Sequence, residues 1–484
     1  MVGKVFIERT RQSIALMIGA GVALGALAAG VAYAGDSAID TAFAAAELQP
    51  GWRRVFVYGG GYADERIVAA ARAPDGGYVL AGQRAGGAAG AQIFLAKFKA
   101  DGSNDTGFGG STVTGSAGVG RVLKDAYLSA VTDMTIDAQG RIVVVGKTPG
   151  ALGQSDFGVV RFNADGSDDS SFAGDGGTSV AFDVDAANNR TNDTPSSVVT
   201  TPDGAIYVAG VVQDRVDDAP TTVVGAIKLK PDGSLDTAFG SYGTGRTTYC
   251  RAQCATVLDV ARIVYDAPRN RLLIGGDHGV NASNTDWFIV TQTLSGAVYS
   301  SQVSYPIDLG DVGGYQLAYM LDMAVQPTGE AVALGWANDA NNHSVPLLLR
   351  RQALASSEDV SFGNTAGRGL MVLPTTDAIY GGLAVDSSKR LILAGEYSAY
   401  GIVTRLNTDG SVDTHFNGTT SPSAYVAMTS AAQSAYKTVF KRVFLDAGRP
   451  VLVGEAPDAN TTNADFDLLV TRLQADLIFA DAME

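Results

Sequence analysis

Ten side chains between positions 277 and 455 are the ones best suited to chemistry in this 484-residue chain: Asp277, His278, Asp286, Trp287, Trp336, His343, Glu396, Tyr397, Tyr400 and Glu455. They include two of the three tryptophans and two of the three histidines. Aromatic faces beside carboxylates suit a carbohydrate or a peptide, through stacking and directed hydrogen bonds. Asp277, Glu396 and Glu455 each follow a glycine that ends a β-branched run, so they hold one repeated position. Carboxylates at a shared level can do glycosidic acid–base work when their separation is right. The competing reading is structural. Trp287 and Trp336 then fill space between neighbouring units, and the acids are solvated strand ends.

Two other groups of side chains are of ligand type. Asn163, Asp165 and Asp169, and separately Asp183, Asp185, Asn188, Asp193, Asp214, Asp217 and Asp218, put oxygens at the close spacing calcium uses. The first group lacks a bidentate Glu and is too short for an EF-hand loop, so a turn explains it more simply. Cys250 and Cys254 are the only cysteines. A C-x3-C pair with no histidine nearby does not make a zinc site, and in an exported chain it suggests a local disulfide. No cofactor is expected, and calcium is the single alternative. A net charge of −15 argues against nucleic acid, because little here would neutralise a row of phosphates. No nucleophile elbow, phosphate loop or dinucleotide fingerprint is present.

The elements that must position these residues are announced by repetition. Pro231-Asp232-Gly233-Ser234-Leu235-Asp236-Thr237-Ala238-Phe239 has counterparts beginning at Ala100, Ala164 and Thr408, and an eroded one around Ser356–Gly363. A β-branched run ends in glycine at Gly82, Gly146, Gly210, Gly276, Gly335, Gly395 and Gly454, at intervals of 59 to 66 residues. With 59 glycines and 18% charged residues, this is the profile of an all-β chain with many turns. Each unit reads as four antiparallel strands, the first two joined by a tight turn such as Pro202-Asp203-Gly204. Seven such units predict a seven-bladed β-propeller.

The last unit lacks its Asp-x-x-Phe turn and fourth strand, and Asp40-Thr41-Ala42-Phe43 with Gly51–Tyr58 supplies both. The expected ring is therefore closed by its N-terminal strand, which removes an exposed sheet edge. The third strands carry a cation at an equivalent place (Lys97, Arg161, Lys228, Arg351, Arg405, Arg472), with Thr291 in the fourth unit. That unit has also lost the turn Asp, so cation and Asp are expected to pair.

These units resemble the delta-60 repeats of bacterial exported proteins, in their Asp-Gly-Ser-x-Asp-x-x-Phe turn and their glycine-ended strand. The resemblance weakens in the fourth and fifth units. It implies a repeat protein of the bacterial envelope or exterior and brings no catalytic residues with it.

Residues 1–34 read as a signal peptide: Lys4, Arg9 and Arg11, then an apolar stretch, then Ala32-Tyr33-Ala34. Residues 35–484 are expected to be one propeller, periplasmic, cell-surface or extracellular, monomeric, with no membrane span once the signal is removed. In antiparallel order the two repeated turns lie on one face of the ring, and the variable loops on the other. The function expected is binding of a glycan, a peptide or an envelope protein through that loop face. The alternative is a polysaccharide hydrolase or lyase using carboxylates on the same face.

Overall fold

A computed structural model describes residues 39–45, 51–55, 65–87, 90–109, 120–125, 127–150, 154–182, 192–216, 219–240, 243–249, 256–281, 284–299, 304–307, 309, 316–365, 368–398, 400–416, 424–426, 438–457 and 466–474. The expected signal segment, Cys250 and Cys254 lie outside these residues. Among the described residues no helix is long and apolar enough to cross a membrane.

Seven four-stranded antiparallel sheets form a closed β-propeller. The first strands of the blades, beginning with Glu65–Arg72 and ending with Val439–Asp446, pack side by side around the axis. The seventh blade takes three strands from the C-terminal unit and its fourth, Trp52–Val55, from near the N-terminus. Trp52 pairs with Thr471 and Val55 with Leu468, and Asp40 N–H donates to the Arg472 carbonyl at 2.8 Å. The core is a set of apolar layers between blades. Val79 and Ala81 of blade 1, for example, meet Ile142 and Val144 of blade 2.

The periodic glycine has a steric cause. Every first strand carries a β-bulge, and the residue before it pairs with the glycine of the second strand: Ile67 with Gly82, Val131 with Gly146, and so on to Phe440 with Gly454. The bulge pushes a carbonyl oxygen against the glycine. A Cβ there would lie 1.9–2.2 Å from the carbonyl of Arg66, Ala130, Thr194, Asp259, Tyr319, Ile379 or Val439. No side chain fits, so glycine counts the blades.

The repeated turn is a fastener. Asp169 Oδ1 accepts the Ser171 N–H at 3.0 Å, and Oδ2 accepts Arg161 Nε at 2.7 Å. Another guanidinium nitrogen of Arg161 donates to the Pro231 carbonyl of the next blade at 2.6 Å, and the group lies 4.5 Å from the Phe172 ring centre. Phe172 in turn sits under Gly233, whose φ of +86° and 2.9 Å clearance exclude a side chain. The pattern recurs with Arg405, Asp413 and Phe416, and with Arg472, Asp40, Phe43 and Ala100. Lys97 and Lys228 pair with Asp105 and Asp236. The oxygens considered for calcium are therefore engaged: Asp165 Oδ1 accepts Ser167 N–H and Oγ, and Asp169 is held by Arg161.

Blade 5 corrects one expectation. The cation on Asp359 is Arg350 at 2.9 Å, not Arg351. Val332 pairs with Arg350 as Val143 pairs with Arg161, but the turn is one residue longer, nine residues from Arg to Asp against eight. Arg351 instead enters the interface with blade 4, donating to the Ile289 carbonyl and to Thr291 Oγ1 at 3.2 and 2.7 Å. Burial, then the Arg271 charge, pulls it down to about 10. In blade 4, which lacks the pair, Arg271 binds Asp266 at 2.8 Å and donates to the Ala353 carbonyl of blade 5.

Two outcomes follow. Gly146→Ala, driven onto the Ala130 carbonyl, is expected to cost about 3 kcal/mol in urea unfolding. Gly174→Ala, with nothing within 4 Å and only its φ of +91° to strain it, should cost about 1 kcal/mol. Equal losses would refute the steric account. Arg161→Met leaves Asp169 buried without its cation and should cost about 3–5 kcal/mol at neutral pH. Burial raises the Asp169 pKa, but the hydrogen bonds from Ser171 and Arg161 outweigh it and hold the acid below its ordinary value. Its contribution is thus full above about pH 4 and lost as pH falls through the native value. In Arg161→Met the acid limb of the stability profile should move to higher pH.

Candidate functional site

The loop face carries the connections between second and third strands, and the first strands run inward from it along the axis. The ten residues singled out above differ in burial and in partners. Asp277 and Glu455 are buried and work as clips between blades. Asp277 Oδ1 accepts the Met320 N–H at 2.6 Å, and Glu455 Oε1 accepts the Ile67 N–H at 2.9 Å and Lys441 Nζ at 2.5 Å. Gln83, at the same repeated position, accepts the Val131 N–H at 3.2 Å. Each acceptor meets the N–H beside the next blade's bulge.

Trp287 is fully buried in the layer between blades 4 and 5, beside Met320 and Leu347, and offers no face to a ligand. His278 and Asp286 are buried opposite each other on paired strands. Burial lowers the His278 pKa, which keeps the ring neutral. His343, half exposed, lies 3.4 Å from Asp339 in the blade 5 loop. Glu396 and Tyr397 are half-buried, and Tyr400 is exposed at the tip of the blade 6 hairpin. In the second group weighed for calcium, Asp193 is buried and accepts the Phe182 N–H at 3.0 Å. Asp183, Asp185, Asn188, Asp217, Asp218 and the Asp214 side chain lie outside the described residues.

Trp336 belongs to a different grouping. It is half-buried and packs against Tyr319, ring centres 5.0 Å apart and planes at 34°. Both stand at the loop-face ends of their strands in blade 5. Tyr319 lies near Asp277, and its own burial, then the charge of Asp277, raise the phenol pKa. Asp277 is held well above the usual carboxylate range, first by burial and then by Asp259, with the Met320 N–H opposing.

Asp259 pairs with Asp277 across the first two strands of blade 4. It is open to the axial channel yet enclosed by protein, and that enclosure pushes its carboxyl up to about 6. Ser196 Oγ lies 3.5 Å away. Asp259, Asp277, Tyr319 and Trp336 thus form one chain of neighbours running from the channel wall to the loop face.

Deeper in the channel, the residue after the bulge is Asp133, Arg262, Asp322 or Arg442 in blades 2, 4, 5 and 7. Asp133 Oδ2 accepts Ser197 Oγ and the Val198 N–H at 2.8 and 3.1 Å, and Asp322 Oδ2 accepts the Leu383 N–H at 2.9 Å. Arg262 lies between the two acids, 3.6 Å from Asp133 and 3.4 Å from Asp322. Burial works against its charge, but the two carboxylates raise its pKa above the ordinary value. None of these inner-strand charges was singled out from the sequence. A signal existed: Asp133 and Asp322 stand thirteen residues before Gly146 and Gly335, each the one charge in its strand.

Three stretches, residues 139–172, 201–239 and 387–416, match the family described as "Domain of unknown function (DUF5122) beta-propeller". Each ends on the fastener phenylalanine, Phe172, Phe239 or Phe416. No curated protein matches the chain in sequence. Among solved structures, the polysaccharide lyase Uly1 is similar at 11% identity and a TM-score of 0.48, over 87% of this chain and 92% of that one. A Trypanosoma rangeli sialidase in complex with sialic acid is similar at 8% identity and 0.41, over 89% and 60%. YCF48 from Cyanidioschyzon merolae is similar at 10% and 0.41, over 87% and 98%. Likenesses of this size concern the propeller architecture and carry no chemistry across.

Asp259 holds its proton to about pH 6 when folded, against 3.8 as its ordinary value. Between those values the native chain binds the extra proton, so this group makes stability fall as pH rises. Asp259→Asn should flatten that slope in urea midpoints taken from pH 4 to 7. Parallel profiles for the two proteins would show that Asp259 titrates as a solvated acid.

Proposed function

We propose that this chain is an exported β-propeller binding protein that holds a carbohydrate at the loop-face mouth of its channel. The observation that carries the reading is the Tyr319–Trp336 pair, half-buried and tilted, with Asp277 beside it and Asp259 on the channel wall. Rigid aromatic faces take up the apolar face of a sugar, and the open Asp259 carboxyl accepts or donates hydrogen bonds to its hydroxyls. The blade layers hold both rings in place, so little ordering cost falls on binding. A peptide or an envelope protein would use the same mouth.

One observation favours a second reading, a polysaccharide hydrolase or lyase. A carboxyl group raised to about 6 in an enclosed channel is suited to general acid chemistry near neutral pH. Asp259 would be that acid, with Asp277 as its neighbour. In that case reducing ends or unsaturated products would accumulate from a bound polysaccharide, and Asp259→Asn would abolish them.

The binding reading is tested on a glycan array, followed by calorimetric titration of the best ligand. Trp336→Ala should weaken binding at least tenfold, about 1.4 kcal/mol. Unchanged affinity in Trp336→Ala, or no glycan retained by the wild type, would remove this reading.

A further inference from the structure

Arg442 is the charge in the channel belt whose bonding is incomplete. It follows the bulge of the seventh blade's first strand, at the level of Asp133, Arg262 and Asp322. One guanidinium nitrogen, Nη1, donates to the carbonyls of Gly381 and Lys441 at 3.3 and 3.0 Å. Nε is shielded from solvent and has no hydrogen-bond partner. Arg442 forms no ion pair with any described carboxylate, although protein surrounds it and only part of it meets channel solvent.

The carboxylates of the belt are already committed. Asp133 serves the Ser197 hydroxyl, the Val198 N–H and Arg262. Asp322 serves the N–H groups of Met323 and Leu383 and Arg262. Burial, and after it the positive charge of Arg262, lowers the pKa of Arg442, and the two acids only partly offset this. A guanidinium enclosed without an anion is costly, whereas its planar fork matches a carboxylate or sulfate in bidentate geometry.

We propose that the mid-channel belt is an anion site, in which the Arg442 guanidinium, which pairs with no described carboxylate, takes a carboxylate or sulfate group. Its chemistry is that of an acidic sugar, such as a uronate, or of a free oxyanion. The site lies deeper than the Tyr319–Trp336 mouth and rests on different residues, so it goes beyond the carbohydrate reading and survives that reading's failure.

The test is calorimetric titration of the full chain with sodium sulfate and with sodium glucuronate, at constant ionic strength, with glucose as the neutral control. Sulfate or glucuronate should bind and glucose should not. Tighter glucuronate binding would identify the acidic sugar, and tighter sulfate binding the free oxyanion. Arg442→Gln should weaken anion binding at least tenfold while Trp336→Ala leaves it unchanged. Arg442→Lys, which keeps the charge and loses the fork, should also bind at least tenfold more weakly. Equal anion affinity in wild type and Arg442→Gln, or no anion binding by the wild type at millimolar concentration, overturns the site. Should Arg442→Gln not fold, bromide-soaked crystals of the wild type decide. An anomalous peak beside Arg442 supports the site, and its absence overturns it.

Discussion

A backbone carbonyl pressed against a glycine Cα is the contact on which this ring depends. In each blade the bulge in the first strand turns a carbonyl toward the second strand, and the strand can pair there only where no Cβ exists. The bulge has two consequences. It increases the local twist of the strand that lines the axis. It also re-aims the next residue, so that Asp133, Arg262, Asp322 and Arg442 reach the channel instead of an apolar layer. The residue that makes the fold possible and the residues that charge its axis therefore stand side by side in every unit where both occur.

The turn face solves a different problem. Apolar layers between blades are non-directional and would tolerate sliding, whereas the fastener fixes register. One carboxylate oxygen holds its own turn, the other holds the guanidinium, and the guanidinium reaches a carbonyl of the next blade. Blade 4 shows that what must be kept is the guanidinium's position rather than the residue that carries it. Arg271 enters from a neighbouring strand to the same kind of cross-blade carbonyl, and Arg351 of blade 5 reaches back to Thr291. The closing blade uses the same device with Asp40 and Arg472, although they are 432 residues apart in sequence.

This division explains what could be read from the amino-acid order. Features with one local cause were legible: the glycine period, the Asp-Gly-Ser turn, the number of blades and the closing strand. The cation partner in blade 5 was misplaced because one extra turn residue shifts the register, and a register is a property of pairing, not of spacing. The site was less legible still. Trp287 and Trp336 stand at the corresponding ends of adjacent strands in neighbouring blades, yet Trp287 is sealed by blade 5 and Trp336 remains half-buried. What decides this is the neighbouring blade, and the local sequence carries no trace of it.

The channel charges illustrate the same limit from the energetic side. A lone Asp or Arg inside an apolar strand looks like a solvated residue on an edge, because composition cannot show whether the edge faces bulk water or an enclosed axis. The first strands place those charges where protein surrounds them but a little solvent remains. There a carboxyl such as Asp259 keeps its proton to about pH 6, while Arg262, flanked by Asp133 and Asp322, is more firmly charged than usual. These two groups, three residues apart on one strand, are both shifted upward, which discharges the acid and keeps the base charged. The difference comes from partners, since both are enclosed, and for Arg262 the partners come from blades 2 and 5. A seven-bladed ring with apolar residues at these positions would be simpler to stabilise. Retaining opposed charges along the axis concentrates the chain's unsolved electrostatics in the one passage that every blade borders.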